Sequence, residues 1–325
     1  MSDWLSSVIS AVRASPGWTS KAHIGVVGRV LGPSDWLAGP GDDGAVVTSG
    51  DASLVVCGEA ILPSFLERDP YGAGIAAVLT NVNDVAAMGA VPLAVVDTVV
   101  GDEATCDAAL RGMRYASKLY DVPVVGGHTT FSADRAALSA FALGRCPGPT
   151  LSATNVEPGQ RLGLLGCLAG TMRTDFPFFP SFEERGDRLA GDVRSLARLA
   201  VEGACVAAKD VSMAGIVGSL AMLIEATTSG VTIDLDAIPV PTGVDQLQWL
   251  TCFPCFLFLV CSPSGREHDV AALAAERELT YAPIGTIDDT GVLVLRDNGA
   301  SATVIDLRSE GITRLTPRSG PRSGR

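Results

Sequence analysis

The sequence predicts two domains that both mix helices and strands, an α+β arrangement. The chain has 325 residues, and at roughly 150 residues per domain this length corresponds to about two domains. Hydrophobic residues make up 47% and charged residues 18% of the chain, a balance that supports sizeable cores. The predicted strands and helices lack the regular spacing of βαβ units, which argues against a doubly wound Rossmann sheet.

A stretch rich in proline and glycine separates the two predicted domains. Residues 147–159 contain Pro147-Gly148-Pro149 and Glu157-Pro158-Gly159 and show no strong periodicity. We therefore expect one domain over residues 1–150 and another over 151–314. Residues 315–325 are basic and rich in proline, glycine and serine, and we expect them to form a disordered tail.

The elements of the first domain are predicted from apolar spacing and boundary residues. Ser49-Gly50-Asp51 lies between two β-rich runs and is typical of a hairpin. Asp69-Pro70 supplies a cap and a first-turn proline for a helix that Gly89 ends. The predicted elements are a helix over 3–14, a helix or extended segment over 21–31, strands over 45–48 and 54–57, a helix over 70–89, a strand over 92–100, a helix over 105–119, and strands over 122–125 and 138–146.

The second domain repeats this mixture of elements. An apolar strand is expected after Trp249, in the run that ends at Cys261. The other predicted elements are a strand over 161–165, a helix over 188–200, a strand over 205–208, a helix over 215–226, a strand over 231–235, a helix over 266–278, and strands near Val292 and Val304.

Charge and hydropathy argue against several kinds of partner. Twenty-four basic and 36 acidic residues give a net charge of −12. Lysines occur only at positions 21, 118 and 209, so we expect no nucleic-acid partner. The longest apolar runs are far shorter than the ~20 residues of a membrane helix, and residues 1–9 do not resemble a signal peptide. We therefore expect a cytoplasmic protein with no membrane attachment.

Eight cysteines are scattered through the chain, most of them inside apolar runs. This pattern predicts buried, reduced thiols. Cys252 and Cys255 have the spacing of a redox or metal pair, but the chain offers no second pair and no histidine cluster nearby. Structural thiols are the favoured interpretation, and a redox or metal role for this pair is the alternative.

Two acidic motifs are candidate metal ligands. The adjacent carboxylates in Gly41-Asp42-Asp43-Gly44 repel each other, and a hard cation such as Mg²⁺ would offset the repulsion. A solvated turn is the alternative, because aspartate and glycine are common in turns. Glu59 follows a buried strand, and it either points into a shared cleft or lies in solvent at the strand end.

A helical face carries Asn81, Asp84 and Met88, which are spaced i, i+3 and i+7. This face borders the apolar stripe of the predicted helix. Asp84 therefore needs an ion-pair partner, a hydrogen bond or a metal if it is buried. An ordinary acid on the helix surface is the alternative.

Two further motifs follow predicted strands. In Gly126-Gly127-His128-Thr129-Thr130 the glycines let backbone N–H groups approach a phosphate, and the threonine hydroxyls are further ligand contacts; a tight turn with an ordinary histidine is the alternative. Lys209-Asp210 lies before a helix start, where free N–H groups bind anions; a capping Ser212 with a surface ion pair is the alternative. The three histidines lack the spacing of a zinc site.

The order of these motifs is more specific than any one of them. GDDGAV, an acid at a strand end, NVNDVAAMGAVPLAVVD, GGHTT and KDVSMAGIVGSL follow one another along the chain. In this order they resemble the superfamily of aminoimidazole ribonucleotide (AIR) synthetase, thiamine-monophosphate kinase, selenophosphate synthetase and the hydrogenase-maturation dehydratase. The similarity covers residues 21–286 and is greatest to synthetase-related proteins without a known reaction, including the methanogenesis-marker type.

This resemblance implies a fold, ligands and residue roles. The fold is α/β in the N-terminal domain and α+β in the C-terminal domain, an AIR synthase-like arrangement in which the N-terminal domains of a homodimer share a β-barrel. ATP and Mg²⁺ occupy a cleft, and phosphoryl transfer activates an oxygen of a small-molecule substrate. The implied roles are metal binding for Asp42, Asp43, Glu59 and Asp84, cofactor binding for Lys21, Asn81, Gly126, Gly127 and Thr129, and catalysis for His128, Lys209 and Asp210.

Departures from the family pattern argue against some branches of the superfamily. The family's strand-end aspartate is Glu59 here, and the kinase branch has an aspartate in place of His128. The kinase branch also has Ser-Asp-Gly where this chain has Ser212-Met213-Ala214. Residues 1–40 contain no cysteine, whereas the selenophosphate branch needs a reactive cysteine or selenocysteine there. These differences argue against both of those activities.

Three functions remain consistent with the sequence. The leading hypothesis is an ATP- and Mg²⁺-dependent, ligase- or kinase-like enzyme acting on a small molecule. The second is a nucleotide-binding, catalytically weak partner of another metabolic enzyme, suggested by Glu59 and the altered second-domain motif. The third is a redox or metal module that uses Cys252 and Cys255.

Overall fold

A computed structural model describes residues 3–31 and 41–315. The predicted tail lies outside these residues, apart from Leu315. Two sheets, each covered by helices, form the described part of the chain. The arrangement is the two-domain α/β fold with mixed sheets that the family resemblance implies. The domain boundary at residues 150 and 151 stays a prediction.

Short helices begin the chain, and the first of them packs on the C-terminal half. Ser15 caps the second helix, because its side chain accepts a hydrogen bond from the Trp18 amide and Pro16 occupies the first turn. The apolar stripe of the first helix joins the core of the second sheet. The helices are α1 (Asp3–Ala14), α2 (Pro16–Lys21) and α3 (Gly25–Leu31), with a 3₁₀ turn over Ala22–Ile24.

The first sheet has five strands in the order β1-β2-β5-β3-β4, and only β3 and β4 are parallel neighbours. Helices cover one face of it, and the other face is open. Within the described residues the sheet does not close into a barrel. Its elements are β1 (Ala45–Ser49), β2 (Ala52–Ala60), α4 (Pro63–Arg68), α5 (Pro70–Ala87), β3 (Val91–Gly101), α6 (Glu103–Tyr120), β4 (Val124–Phe131) and β5 (Ala137–Cys146).

The segment Gly126-Gly127-His128-Thr129-Thr130 differs from the prediction of a short strand that runs into a loop. It lies inside β4, which extends to Phe131 at the edge of the sheet. Parallel pairing with β3 satisfies the backbone across both glycines. The threonines and Phe131 favour extended backbone, so the strand continues where the glycines alone predict a turn.

The second sheet has seven strands in the order β12-β11-β8-β10-β6-β9-β7. Strand β10 is absent from the sequence prediction, because Pro283 and Gly285 interrupt its pattern and its backbone is irregular there. The elements are β6 (Arg161–Gly166), α7 (Leu189–Val193), α8 (Ser195–Val201), β7 (Ala207–Asp210), α9 (Gly215–Glu225), β8 (Gly230–Asp234), α10 (Gln246–Thr251), β9 (Leu257–Ser262), α11 (Glu267–Arg277), β10 (Thr280–Asp288), β11 (Val292–Asp297) and β12 (Ala300–Asp306), with 3₁₀ turns over Ala153–Asn155, Ser181–Arg188 and Leu235–Ala237.

The eight cysteines are free and buried. Burial raises the pKa of both Cys252 and Cys255, which disfavours the reactive thiolate. Their sulfurs contact the backbone carbonyls of Trp249 and Phe253 respectively. These contacts support the structural interpretation of the pair. In the described part of the chain, no helix is both long enough and apolar enough to cross a membrane.

Candidate functional site

The glycine loop delivers the first acid of the site. Gly41 has a φ angle of 104°, a conformation that favours glycine, and the chain then enters β1. Asp43, two residues before β1, has a side chain that is only 4% exposed. This short approach directs the Asp43 carboxylate away from solvent and toward the second domain.

Helix α5 delivers the second acid. Its start is set by Asp69, whose side chain accepts a hydrogen bond from the Gly72 amide, and by Pro70 in the first turn. Thirteen of its residues are buried, Asp84 among them. The carboxylate of Asp84 makes no hydrogen bond with the described residues. Because α5 packs against β7, Asp84 lies at the junction of the two domains.

Strand β7 delivers the third acid and a lysine. It is an edge strand that pairs only with β9, and it ends at Asp210. The side chains of Lys209 and Asp210 are each 6% exposed. A charged pair at the end of a buried strand needs partners in the protein or in a ligand.

The three acids meet in one place. Oxygen atoms of Asp43, Asp84 and Asp210 lie within 4.8 Å of one another, and we call these residues the carboxylate cluster. Lys209 Nζ donates to one oxygen of Asp43, and the Asp210 amide donates to the other at 2.9 Å. Lys209 Nζ lies 4.0 Å from a carboxylate oxygen of Asp210. Residues from both domains therefore build the cluster.

The electrostatics of the cluster favour a bound cation. Burial raises the pKa of Asp84 well above its ordinary value, and the charges of Asp210 and Asp43 raise it further. Burial and Asp43 raise the pKa of Asp210 to about 7, although Lys209 opposes the shift. Burial lowers the pKa of Lys209, but the nearby carboxylates outweigh this and the net shift is upward. Three acids facing one lysine leave excess negative charge in a poorly solvated cleft.

The donor set of the cluster fits Mg²⁺. Mg²⁺ takes oxygen ligands and is commonly held by one or two carboxylates, with water and phosphate oxygens completing its coordination. Asp43, Asp84 and Asp210 supply carboxylates within one ion's reach. A divalent cation would also offset the repulsion that raises the pKa of Asp84.

The other predicted metal ligands lie beside the cluster. Asp42 accepts hydrogen bonds from Ser152 Oγ at 2.6 Å and from the Ala153 amide at 2.7 Å. Burial raises its pKa to about 6, and these two donors oppose the shift. It thereby ties the glycine loop to the segment that begins the second domain. The structure does not bring Asp42 into the three-acid cluster.

Glu59 and Lys21 form the border of the cleft. Burial raises the pKa of Glu59, while the charge of Lys21 lowers it and that of Asp43 raises it. Lys21, at the end of α2, also lowers the pKa of Asp210. Both predicted residues therefore lie close enough to act on the cluster through their charge, although Glu59 is not one of its three acids.

The predicted cofactor ligand Asn81 is used inside the N-terminal core. Its Nδ2 donates to the Ala77 carbonyl at 2.8 Å, and its Oδ1 faces the Cys57 thiol at 3.4 Å. Asn83, which the sequence did not single out, joins the domains instead. Its Nδ2 donates to the Cys255 carbonyl at 2.8 Å. This contact holds α5 against the second domain next to Asp84.

Strand β4 places its predicted site residues apart from the cluster. Gly126, His128 and Thr129 are exposed. His128 pairs with Thr98 of β3, on the side of the sheet away from the helices. It makes no hydrogen bond or ion pair with the described residues. Within one protomer, the structure does not bring His128 to the carboxylate cluster.

Asp97 is a candidate that sequence reasoning missed. It is 5% exposed, and its Oδ2 has no hydrogen-bond partner in the described structure. The neighbouring Gly127 is required for this placement, since a Cβ there would lie 2.2 Å from Asp97 Oδ1. Burial raises the pKa of Asp97. A lone acid in the apolar strand over 92–100 was the available signal.

Comparison with known families matches both halves of the chain. The model of the N-terminal domain of AIR synthase related proteins matches residues 41–146, and that of the C-terminal domain matches residues 172–298. The chain belongs to the AIR synthase related family. A Synechocystis protein without a described function is 34% identical over 279 residues, which cover 85% of this chain and 86% of that protein.

Several named relatives are PurL subunits of phosphoribosylformylglycinamidine synthase. The phosphoribosylformylglycinamidine synthase subunit PurL of Caulobacter vibrioides is 26% identical and covers 83% of this chain, but this chain covers only 40% of that subunit. PurL of T. maritima complexed with FGAR superposes with a TM-score of 0.76 at 16% identity, over 100% of this chain and 56% of PurL. This chain therefore spans about half of the length of PurL.

The structural likeness extends to a shorter relative. A ThiL chain complexed with AMPPCP and TMP superposes with a TM-score of 0.63 at 18% identity, over 86% of this chain and 93% of ThiL. T. maritima PurL has been solved with ATP and with ADP. These comparisons show the two-domain AIR synthase-like fold.

Proposed function

We propose that this protein is an ATP- and Mg²⁺-dependent enzyme that transfers a phosphoryl group to an oxygen of a small molecule. The observation that carries the proposal is the carboxylate cluster, in which three buried acids from two domains lie within 4.8 Å of one another. Uncompensated buried charge is costly and is concentrated at functional sites. Family members bound to adenine nucleotides support ATP as the phosphoryl donor.

The roles of the chain's own residues follow from their positions. Asp43, Asp84 and Asp210 would hold Mg²⁺, which supplies charge neutralisation for the phosphates when bound. Lys209 holds Asp43 in place and keeps its positive charge among the acids. Lys21 adds a second positive charge at the border of the cleft. Both lysines are suited to contact phosphate oxygens.

Calorimetry tests the metal-dependent nucleotide site. We expect wild-type protein to bind ATP with Mg²⁺ at least ~10-fold more tightly than with EDTA, a difference of about 1.4 kcal/mol. Asp210→Asn should lose most of this metal dependence. Asp51→Asn makes the same chemical change in an exposed turn and should bind as wild type does. Equal ATP affinity with and without Mg²⁺ would refute the proposal.

A second candidate is a nucleotide-binding, catalytically weak partner of another enzyme. It is favoured by Glu59, which replaces the family's strand-end aspartate and lies outside the three-acid cluster. Phosphate or ADP release by the purified protein alone decides between the two candidates. Substrate-dependent turnover without any second protein rejects this one.

We further propose that two protomers pair through the open face of the first sheet. That face exposes a group of large apolar side chains on adjacent strands, which one protomer leaves in water. Pairing two such faces would bury these side chains. They are Val47, Val56, Val96 and Phe141, each at least 40% exposed. Sedimentation showing a monomer at micromolar concentration would contradict this pairing.

A further inference from the structure

A cavity of about 140 Å³ lies between the two domains, with Glu59 in its wall. The charges of Asp43 and Lys209 act on the pKa of Glu59. The cavity therefore adjoins the carboxylate cluster. A larger cavity of about 680 Å³ lies elsewhere, between the N-terminal helices and residues 305–315, and no residue of the cluster lines it. Of these two cavities, the smaller is placed to hold a reacting molecule.

The size and walls of this cavity suit a single six-membered ring. An apolar protein cavity of about 150 Å³ accommodates benzene, and this one is of similar volume. Its apolar lining comes from both domains. Phe65 meets Phe178 edge to face at 5.1 Å, and Phe178 meets Phe253 in the same way at 5.9 Å. Aromatic walls of this kind favour a planar ring.

The polar groups of the cavity are unbalanced toward negative charge. Arg173 donates to Asp69 at 2.9 Å and to Asp175 at 2.8 Å, so its charge is already neutralised. Glu59 and Glu183 also line the cavity, and their side chains make no hydrogen bond with the described residues. Burial raises the pKa of Glu183, which Arg173 only partly opposes. Glu59 and Glu183 are both exposed at the mouth of the cavity, so their carboxylates favour a ligand with N–H groups or a positive charge through complementary charge.

We propose that this cavity binds the phosphoryl acceptor, and that the acceptor is a molecule with one six-membered ring that carries hydrogen-bond donors or a positive charge. This inference depends on the proposed function only for the claim that the bound molecule accepts the phosphoryl group. In the transfer, the acceptor oxygen bonds to the γ-phosphorus of ATP and loses its proton to water. The bond from that phosphorus to the β–γ bridging oxygen breaks, and its electron pair leaves with ADP.

Three single-ring probes of different charge test the inference: benzamidine, benzamide and benzoate. Binding is measured by ligand-observed NMR without nucleotide. We expect benzamidine to bind most tightly and benzoate least, because the lining carries the carboxylates of Glu59 and Glu183. Glu183→Gln, a change at the exposed rim, should reduce the preference for benzamidine over benzamide by at least ~3-fold. An unchanged preference, or tightest binding of benzoate, overturns the proposal.

A substitution that fills the cavity tests its location. Ala76 lines the cavity from helix α5, and leucine preserves helix propensity there. We expect Ala76→Leu to weaken benzamidine binding by at least ~10-fold. Ala272→Leu, the same change on an exposed face of α11, should leave binding within ~2-fold of wild type. Equal binding by the two variants places benzamidine outside the cavity and overturns the proposal.

The Mg²⁺–ATP titration separates this inference from the proposed function. Ala76→Leu should keep the Mg²⁺–ATP affinity of wild type within ~2-fold, because the cluster is not altered. Loss of ATP binding in this variant would assign the cavity to the nucleotide base and overturn the inference. If wild type binds benzamidine as expected but does not bind Mg²⁺–ATP, the proposed function fails and the ring site stands.

Discussion

Two buried ionic groups in this molecule are built in opposite ways. In the arginine cluster, which consists of Arg185, Asp192 and Arg277, the fully buried carboxylate of Asp192 accepts from Arg185 Nε at 2.7 Å and from Arg277 Nε at 2.8 Å. Arg185 also donates to the backbone carbonyls of Arg277 and Glu278. In the carboxylate cluster, by contrast, three acids share one lysine.

The difference separates a structural ion group from a site that needs a ligand. In the arginine cluster every oxygen of Asp192 has a donor and the positive charges outnumber the negative one. In the carboxylate cluster, Asp84 has no hydrogen bond with the described residues, and burial together with repulsion from Asp210 and Asp43 raises its pKa. A protein keeps such an imbalance where a cation or a reaction compensates for it. The supply of donors to each carboxylate therefore discriminates between the two groups better than burial does.

The largest expected effect comes from breaking the arginine cluster. Asp192→Asn should lower the free energy of unfolding by about 3 kcal/mol, because it leaves two arginines around a neutral amide in a buried position. The loss should be the same with and without Mg²⁺. Denaturant titration measures it. Asp187→Asn, an exposed acid nearby, is the matched control and should change stability by no more than about 0.5 kcal/mol.

In contrast to Asp192→Asn, Asp84→Asn should weaken ligand binding without lowering the metal-free stability. Removing one charge from the carboxylate cluster should weaken Mg²⁺-dependent ATP binding by at least ~10-fold, or about 1.4 kcal/mol. The metal-free melting temperature should stay equal or rise, because a repulsive charge is gone. Calorimetry and thermal unfolding measure the two effects. A variant that binds Mg²⁺–ATP as tightly as wild type would show that Asp84 is not part of the metal site.

The pH dependence of stability sharpens the comparison. The folded pKa of Asp210 is raised to about 7, so over pH 4–7 the folded protein binds more protons than the unfolded chain. Metal-free stability should therefore fall as pH rises through this window, by about 1 kcal/mol between pH 6 and pH 7. The stabilisation by Mg²⁺ should grow over the same range, because its ligands must be deprotonated. Melting curves in EDTA and in Mg²⁺ measure both trends, and a metal-free stability that rises with pH would refute this account.

Local patterns in the sequence predicted the members of the carboxylate cluster but not the balance of its charges. The glycine loop, the helical spacing of Asp84 and the strand end at Asp210 each marked an acid, and the family order of motifs brought them together. Asp42 lies outside the cluster and accepts a hydrogen bond from Ser152, which is 110 positions away along the chain. No local pattern predicts such a contact.

The same limit explains what the sequence did not reveal. The arginine cluster joins Arg185 to Arg277, which lies 92 positions further along the chain. Strand β4 was predicted to end early because two glycines favour a turn, whereas pairing with β3 keeps the segment extended. Asp97 lies in an apolar strand, and its side chain fits there because Gly127 has no Cβ. In each case the residue types were visible in the sequence, but contacts between distant segments determined where the side chains lie.

His128 gives the smallest expected effect, and it tests whether charge imbalance is a sufficient guide to the site. The sequence resemblance implies a catalytic role, yet His128 is exposed on β4 and has no partner among the described residues. We expect His128→Asn to leave Mg²⁺–ATP affinity within ~2-fold and turnover within ~3-fold of wild type. Thr98→Ser, on the paired residue of β3, is the control for a small change on the same face. A rate reduced by ~10² or more, with ATP binding unchanged, would identify His128 as an acid or base. Because one protomer holds His128 apart from the carboxylates, that result would require the second protomer to complete the site.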